Sequence, residues 1–180
     1  MIISLRREAK YRCEDFQEIR KVLQDQQARY VTKKQQTDRI YKVPDPLTGT
    51  YSKRIKVRKE EDKPFMVYIY SRRDREVEIE FDYFELNDPS IVSMFDTLYG
   101  QPVLITKVRE VWTKGHAIFH LDSVEGIGLI FEMELLESLV SSGAEEVDRL
   151  LQPFQPYLLE KIEGSNEDLL SGRDNRSDIF

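Results

Sequence analysis

Long apolar runs are missing from this 180-residue sequence. No stretch approaches the ~20 residues needed to span a bilayer. The charged start, Met1 to Lys10, has no signal-peptide core. Neither a membrane partner nor a secreted protein is therefore expected. Cysteine is almost absent, with Cys13 the only one. No disulfide can form within the chain and no cysteine-based zinc site can be built, which fits a reducing cytoplasm. A basic excess is lacking too. The net charge is −6, whereas general nucleic-acid binders usually carry surplus Lys and Arg. A small anionic ligand is not excluded, because a site responds to local charge and not to the sum. Histidine is scarce: His116 and His120 are the two. Four residues apart on a helix they could share a metal, but the surrounding AIFHLD alternates like a strand, so no two-histidine site is expected. There is no internal repeat and no low-complexity tract.

What is present is charge. Hydrophobic residues make up 40% and charged residues 33% of the chain, against ~25% charged in typical soluble domains. One domain of this length buries roughly 70% of its unfolded surface. A solvated surface or a charge-lined cavity would each absorb the excess.

Several stretches alternate with period two, as half-buried strands do. They are 3–13, 54–59, 67–73, 76–82, 103–112, 117–122 and 128–135, with a weaker candidate at 35–43. Three segments read as helices. The first, 14–28, has Phe16, Ile19, Val22 and Leu23 at helical spacing. The second, 89–100, follows Asp88 as N-cap and ends in Gly100. The third, 145–151, continues past Pro153 and Pro156 into 157–162. Residues 45–51 read as a turn-rich loop. The division expected is one domain over 1–163 and a polar C-terminal tail, 164–180, that frays.

About eight strands and few helices suggest a mainly β (α+β) fold: a closed eight-stranded antiparallel β-barrel with flanking α-helices, because closure removes exposed edges. The polar faces of the strands are fully charged and mixed in sign. Glu8, Lys10 and Arg12 share one face, as do Lys56 and Arg58, Glu76, Glu78 and Glu80, Lys107 and Arg109, and Glu132 and Glu134. A sheet with one wet outer face gives the same pattern. If the charged face points inward, the interior holds basic groups for phosphates and carboxylates for metal, and helices cover the apolar outside.

Taken in order, these motifs resemble the CYTH superfamily of triphosphate tunnel proteins. Arg6-Arg7-Glu8-Ala9-Lys10-Tyr11-Arg12 is similar to the family's opening Glu-x-Glu-x-Lys-x-Arg, with Arg6 in place of the first Glu. Gln36-Thr37-Asp38-Arg39-Ile40-Tyr41 resembles Gln-x-Asp-x-Tyr, Ile55-Lys56-Val57-Arg58 resembles Leu-Arg-x-Arg, and Lys107-Val108-Arg109 resembles Lys-x-Arg. Ile69 to Asp74 resembles a tyrosine-rich strand ending in Arg-Pro-Asp. Leu121-Asp122-Ser123-Val124-Glu125-Gly126-Ile127-Gly128, running on to Phe131-Glu132-Met133-Glu134, is similar to Leu-Asp-x-Val-x-Gly-Leu-Gly with Phe-x-Glu-x-Glu in class IV adenylate cyclases and their relatives.

The resemblance implies a metal-dependent enzyme acting on a small-molecule triphosphate. One form is a class IV adenylate cyclase converting ATP to cyclic AMP and pyrophosphate. The other is a triphosphatase acting on inorganic, thiamine or nucleoside triphosphate. It implies triphosphate binding by Lys10, Arg12, Lys56, Arg58, Arg72, Lys107 and Arg109, with Lys10 also catalytic. Glu8, Glu132 and Glu134 are the implied ligands of Mg²⁺ or Mn²⁺, with Glu78 or Glu80 as further candidates. Arg6 adds a third expectation, a non-catalytic nucleotide or polyphosphate binder, because a guanidinium repels a cation where the family places a carboxylate. Asp122 reads chiefly as a turn residue, and Gly126 and Gly128 as turn formers. Trp112 reads as apolar core. No nucleic-acid partner is expected, and a homodimer is left open.

Overall fold

The structure is a computed structural model that describes residues 6–44, 51–71, 78–136 and 143–170, with side chains over 7–44, 54–70, 82–135 and 145–170. Among the described residues eight strands form one antiparallel sheet: β1 (Arg6–Arg12), β2 (Arg29–Pro44), β3 (Tyr51–Glu60), β4 (Phe65–Ser71), β5 (Glu78–Leu86), β6 (Val103–Lys114), β7 (Ala117–Val124) and β8 (Gly128–Leu136). Among the described residues four α-helices accompany them: α1 (Gln17–Asp25), α2 (Ser90–Tyr99), α3 (Gly143–Leu151) and α4 (Asn166–Leu170). A 3₁₀ segment, Gln152–Tyr157, follows α3. The order across the sheet is β5-β4-β3-β2-β6-β7-β8-β1. The sheet curls so far that, among the described residues, β1 also lies against β5 at Arg6↔Ile79 and Arg7↔Glu78.

Alternation along each strand sends one set of side chains to each face. The outer face is apolar and covered by helices. Ala9, Trp112, Ala117, Phe119, Leu121, Phe131, Met133 and Leu135 pack against Phe16, Ile19 and Leu23 of the α1 region and against Leu151 and Phe154. Trp112 is thus core, as its sequence context suggests. On the far side Tyr41, Ile55, Val57 and Val67 pack against Phe95 of α2. The Tyr41 hydroxyl donates to Asp96 Oδ1 at 2.8 Å and ties that helix down.

α1 is shorter than its apolar spacing suggests. Asp15 Oδ1 accepts from the Gln17 backbone N–H at 2.6 Å and fixes the start. Gln27, at φ 58, turns the chain left-handed after the last turn. Gly126 (φ 75) and Gly128 (φ 110) form the β7–β8 turn, where a side chain would be strained.

Two segments differ from their sequence reading. Residues 158–162 are not helical; only Tyr157 of the expected 157–162 helix is, as the last residue of the 3₁₀ segment. The chain runs extended beside β1, with Arg12 N–H donating to Glu160 O at 3.0 Å and Ile162 N–H to Lys10 O at 2.9 Å. Residues 164–170, read as the start of a polar tail, carry α4. The Ser165 backbone N–H donates to Asp168 Oδ2 at 3.0 Å, a capping contact that starts this helix. No described helix is long and apolar enough to cross a membrane.

Candidate functional site

The inner face of the curled sheet lines a cavity of about 490 Å³. Glu8 and Lys10 of β1 reach it, as do Lys56 and Arg58 of β3, Lys107 and Arg109 of β6, and Glu132 and Glu134 of β8. The wet-outer-face alternative therefore does not describe these eight residues.

Cross-strand register decides which charges meet. Lys10 stands opposite Glu132 and Glu8 opposite Glu134 in the β1–β8 ladder. Lys10 Nζ lies 2.6 Å from Glu8 Oε1 and 3.5 Å from Glu132 Oε2. Burial alone would lower the Lys10 pKa, but Glu132 and Glu8 outweigh it and hold the ammonium above the ordinary lysine range. Glu132 is buried, which would raise its pKa, yet Lys10 and Arg109 hold it well below the usual carboxylate range.

Two buried aspartates fix the arginines. Asp38 faces Arg58 across β2–β3 and accepts from its Nε and Nη2, both at 2.7 Å. Asp122 faces Arg109 across β6–β7. It accepts from Arg109 Nε and Nη2 at 2.6 Å and from Lys107 Nζ at 2.8 Å. Burial works against both carboxylates, but Arg58 for Asp38 and Arg109 with Lys107 for Asp122 keep them ionised. Paired forks of this kind set guanidinium planes before a ligand arrives. Asp122 is thus no turn residue. Asp38 lies in a quoted motif but had no role there, because register is not visible in sequence.

Lys56 is different. Among the described residues it is the one cavity lysine or arginine without a carboxylate at ion-pair distance. Its Nζ sits 4.9 Å from the ring centre of Tyr68 and 4.7 Å from that of Tyr70. Burial, then repulsion from Arg58 and the β6 cations, brings its pKa down to about 7. Lys107 is also lowered, by burial and by Arg109.

The cavity is also lined by Gly164, Ser165, Asn166 and Glu167 and by Arg54 of β3. Arg54 donates to Ser165 Oγ at 2.6 Å and pairs with Glu167. Past Ile40 and Ile105 the interior turns apolar, where Val124, Ile130 and Ile162 pack together. Neither the α4 contribution nor this apolar end was expected from the sequence.

Some expected residues lie elsewhere. Arg12 is held outside the cavity, donating to Ile127 O at 2.8 Å and pairing with Glu160 at 2.7 Å. Arg72 and Glu76 lie outside the described residues, as do the side chains of Arg6, Glu78 and Glu80. His116 falls in the exposed β6–β7 turn, apart from His120 on the cavity wall. On that wall the donor atoms of His120, Glu132 and Glu134 all lie within 4.8 Å of one another.

No curated protein matches the sequence, but solved structures match the fold. A Pyrococcus horikoshii OT3 protein is 20% identical, with 92% of this chain and 99% of that chain covered at a TM-score of 0.78. A candidate adenylate cyclase from Vibrio parahaemolyticus is 17% identical over 93% of this chain and 98% of that one, TM-score 0.73. A candidate adenylyl cyclase from Hippeastrum, described as having a dominant triphosphatase activity, is 14% identical over 94% and 95%, TM-score 0.63. The CYTH domain family model matches residues 5–165, and by that match over most of its length the chain belongs to the CYTH domain family.

Proposed function

We propose that the chain binds the triphosphate of a small-molecule substrate in this cavity and, with a divalent cation, breaks one of its P–O bonds. The observation that carries the reading is Lys56. A half-buried lysine that, among the described residues, has no carboxylate at ion-pair distance and is grouped with Arg58, Lys107 and Arg109 gives up its proton easily. An anion of several charges restores the proton and completes the set. Lys10, Arg58, Lys107 and Arg109 then hold phosphate oxygens, and Arg58 and Arg109 are already oriented by their aspartates. Lys10, kept protonated by its carboxylates, serves as a fixed cation and not as a base. The curled sheet is taken as a tunnel closed at the β1–β5 seam.

The donor set fits a metal. Glu132 and Glu134 place carboxylate oxygens on one wall, and Glu8 stands across from Glu134. Mg²⁺ or Mn²⁺ held there would neutralise phosphate charge and polarise the scissile bond.

The first reaction proposed is cyclisation of ATP. The ribose 3′ oxygen attacks the α-phosphorus, its proton is lost, and pyrophosphate leaves. Hydrolysis is the second reading, in which water attacks the terminal phosphorus. The dominant triphosphatase activity described for the Hippeastrum relative favours keeping it. The test is incubation with ATP, tripolyphosphate and thiamine triphosphate, each with Mg²⁺ or Mn²⁺, with products resolved. Cyclic AMP with pyrophosphate supports the first, and orthophosphate supports the second. Binding without turnover would leave a nucleotide or polyphosphate binder, as Arg6 suggests. A protein that neither binds nor converts any of the three refutes the reading.

A further inference from the structure

His120 lines the same cavity and has no part in holding phosphate. It is 6% exposed. Among the described residues neither ring nitrogen has a hydrogen-bond partner. Nε2 stands 3.3 Å from Glu134 Oε1 without bonding geometry. Buried polar atoms left this way are few in native folds, and a bound ion is one of the few things that accounts for them.

The backbone places the imidazole among ligands. His120 is the direct cross-strand partner of Glu132, and Glu134, opposite Ile118, lies two residues along the same face of β8. The three donor atoms fall within 4.8 Å of one another. Ligands at about 2.0–2.2 Å from one ion sit up to roughly 4 Å apart, so a small side-chain rotation closes the set. All three stand on paired strands, which hold a site more firmly than loops do. Glu132 Oε2 is occupied by Lys10 at 3.5 Å and Arg109 at 3.2 Å, which leaves Oε1 for an ion.

We propose that His120, Glu132 and Glu134 form a nitrogen-containing site for a divalent first-row transition ion, and that His120 makes the cavity prefer such an ion to Mg²⁺. Imidazole nitrogen suits the later first-row ions, whereas Mg²⁺ takes oxygen ligands and keeps much of its water. Lys10 and Arg109 repel any dication at this wall. That repulsion falls on Co²⁺ and Mg²⁺ alike, so the preference comes from the nitrogen. The inference deepens the metal-dependent reading above, but the site itself is tested without a triphosphate.

The experiment titrates untagged, metal-free protein with Co²⁺ and separately with Mg²⁺ by calorimetry. Co²⁺ binds one site per chain at least tenfold more tightly than Mg²⁺. His120→Asn loses at least tenfold in Co²⁺ affinity and less than twofold in Mg²⁺ affinity. The wild type supplies a second readout, since the chain has only two histidines. Imidazole ¹⁵N spectra with Zn²⁺ show one His120 ring nitrogen shifting at saturation, and His116→Asn assigns the signals. Co²⁺ no tighter than Mg²⁺, unchanged Co²⁺ affinity in folded His120→Asn, or unmoved His120 signals would each overturn the proposal. If His120→Asn does not fold, the wild-type spectra decide alone. Tripolyphosphate that fails to bind while the Co²⁺ results hold sinks the substrate reading and leaves this site standing.

Discussion

Replacing Lys56 by methionine keeps the stem and removes the charge. In the free protein the Lys56 pKa is about 7, lowered by burial and by Arg58. At pH 8 only about one molecule in eleven carries the proton, and at pH 9 about one in a hundred. A bound triphosphate requires the charged form, so binding takes up a proton. Tripolyphosphate sheds its own last proton in the weakly alkaline range, but that acts alike on wild type and Lys56→Met and cancels when the two are compared. The cost of protonating Lys56 is about 1.4 kcal/mol at pH 8 and twice that at pH 9. The ratio of the tripolyphosphate Kd of wild type to that of Lys56→Met should therefore rise about tenfold from pH 8 to pH 9. Calorimetry at pH 8 in buffers of differing ionisation enthalpy should report a proton uptake about 0.9 greater in wild type than in Lys56→Met. Lys107, also lowered, adds to the slope in both proteins, and the difference between them isolates Lys56. Equal pH slopes in wild type and Lys56→Met, or proton uptake no greater in wild type than in Lys56→Met, would refute the reasoning.

The same shift acts on the free fold with the opposite sign. Between about pH 7 and the ordinary lysine value of 10.5 the unfolded chain binds the extra proton, so stability of the ligand-free protein should rise with pH over that window, read as the urea midpoint. Asp122→Asn leaves Arg109 and Lys107 buried without their shared counter-charge and should cost about 3–5 kcal/mol in chemical denaturation. Phe131, fully buried between Phe119 and Phe154, should cost about 3–5 kcal/mol as Phe131→Ala while tripolyphosphate affinity of the folded fraction stays unchanged. Arg6→Glu restores a carboxylate at the start of the first motif and should tighten Mn²⁺ binding about tenfold and raise turnover, read by Mn²⁺ titration with phosphate release.

The strands were legible because their polar faces are charged. Lys107 and Arg109 two apart, or Glu132 and Glu134, fit no helical period. β2 was read only from Gln35, although it starts at Arg29. Its first residues are exposed on both faces and carry a register shift between Tyr30 and Thr32, so no alternation marks them. Residues 158–162 run extended despite their helical pattern because backbone pairing with Arg12 and Lys10 overrides local propensity. Asp38 and Asp122 could not be given their partners from sequence, since only register brings Arg58 and Arg109 opposite them. α4 did carry a signal. Ser165 followed three residues later by Asp168 is a capping pattern, set inside a polar segment that masks it. Arg12 shows the reverse: it alternates with Glu8 and Lys10 but lies at the strand's end, where Ile127 and Glu160 capture it.

Titration of untagged protein with inorganic tripolyphosphate at pH 7 tests the central claim most directly. Wild type should bind one tripolyphosphate per chain. Lys107→Ala, which leaves the Arg109–Asp122 fork in place, should bind about 10–100-fold more weakly, the effect of one charge-assisted contact of ~1.5–3 kcal/mol. No binding heat at millimolar tripolyphosphate, or equal affinity in the two proteins, would contradict the assignment of this cavity to a triphosphate.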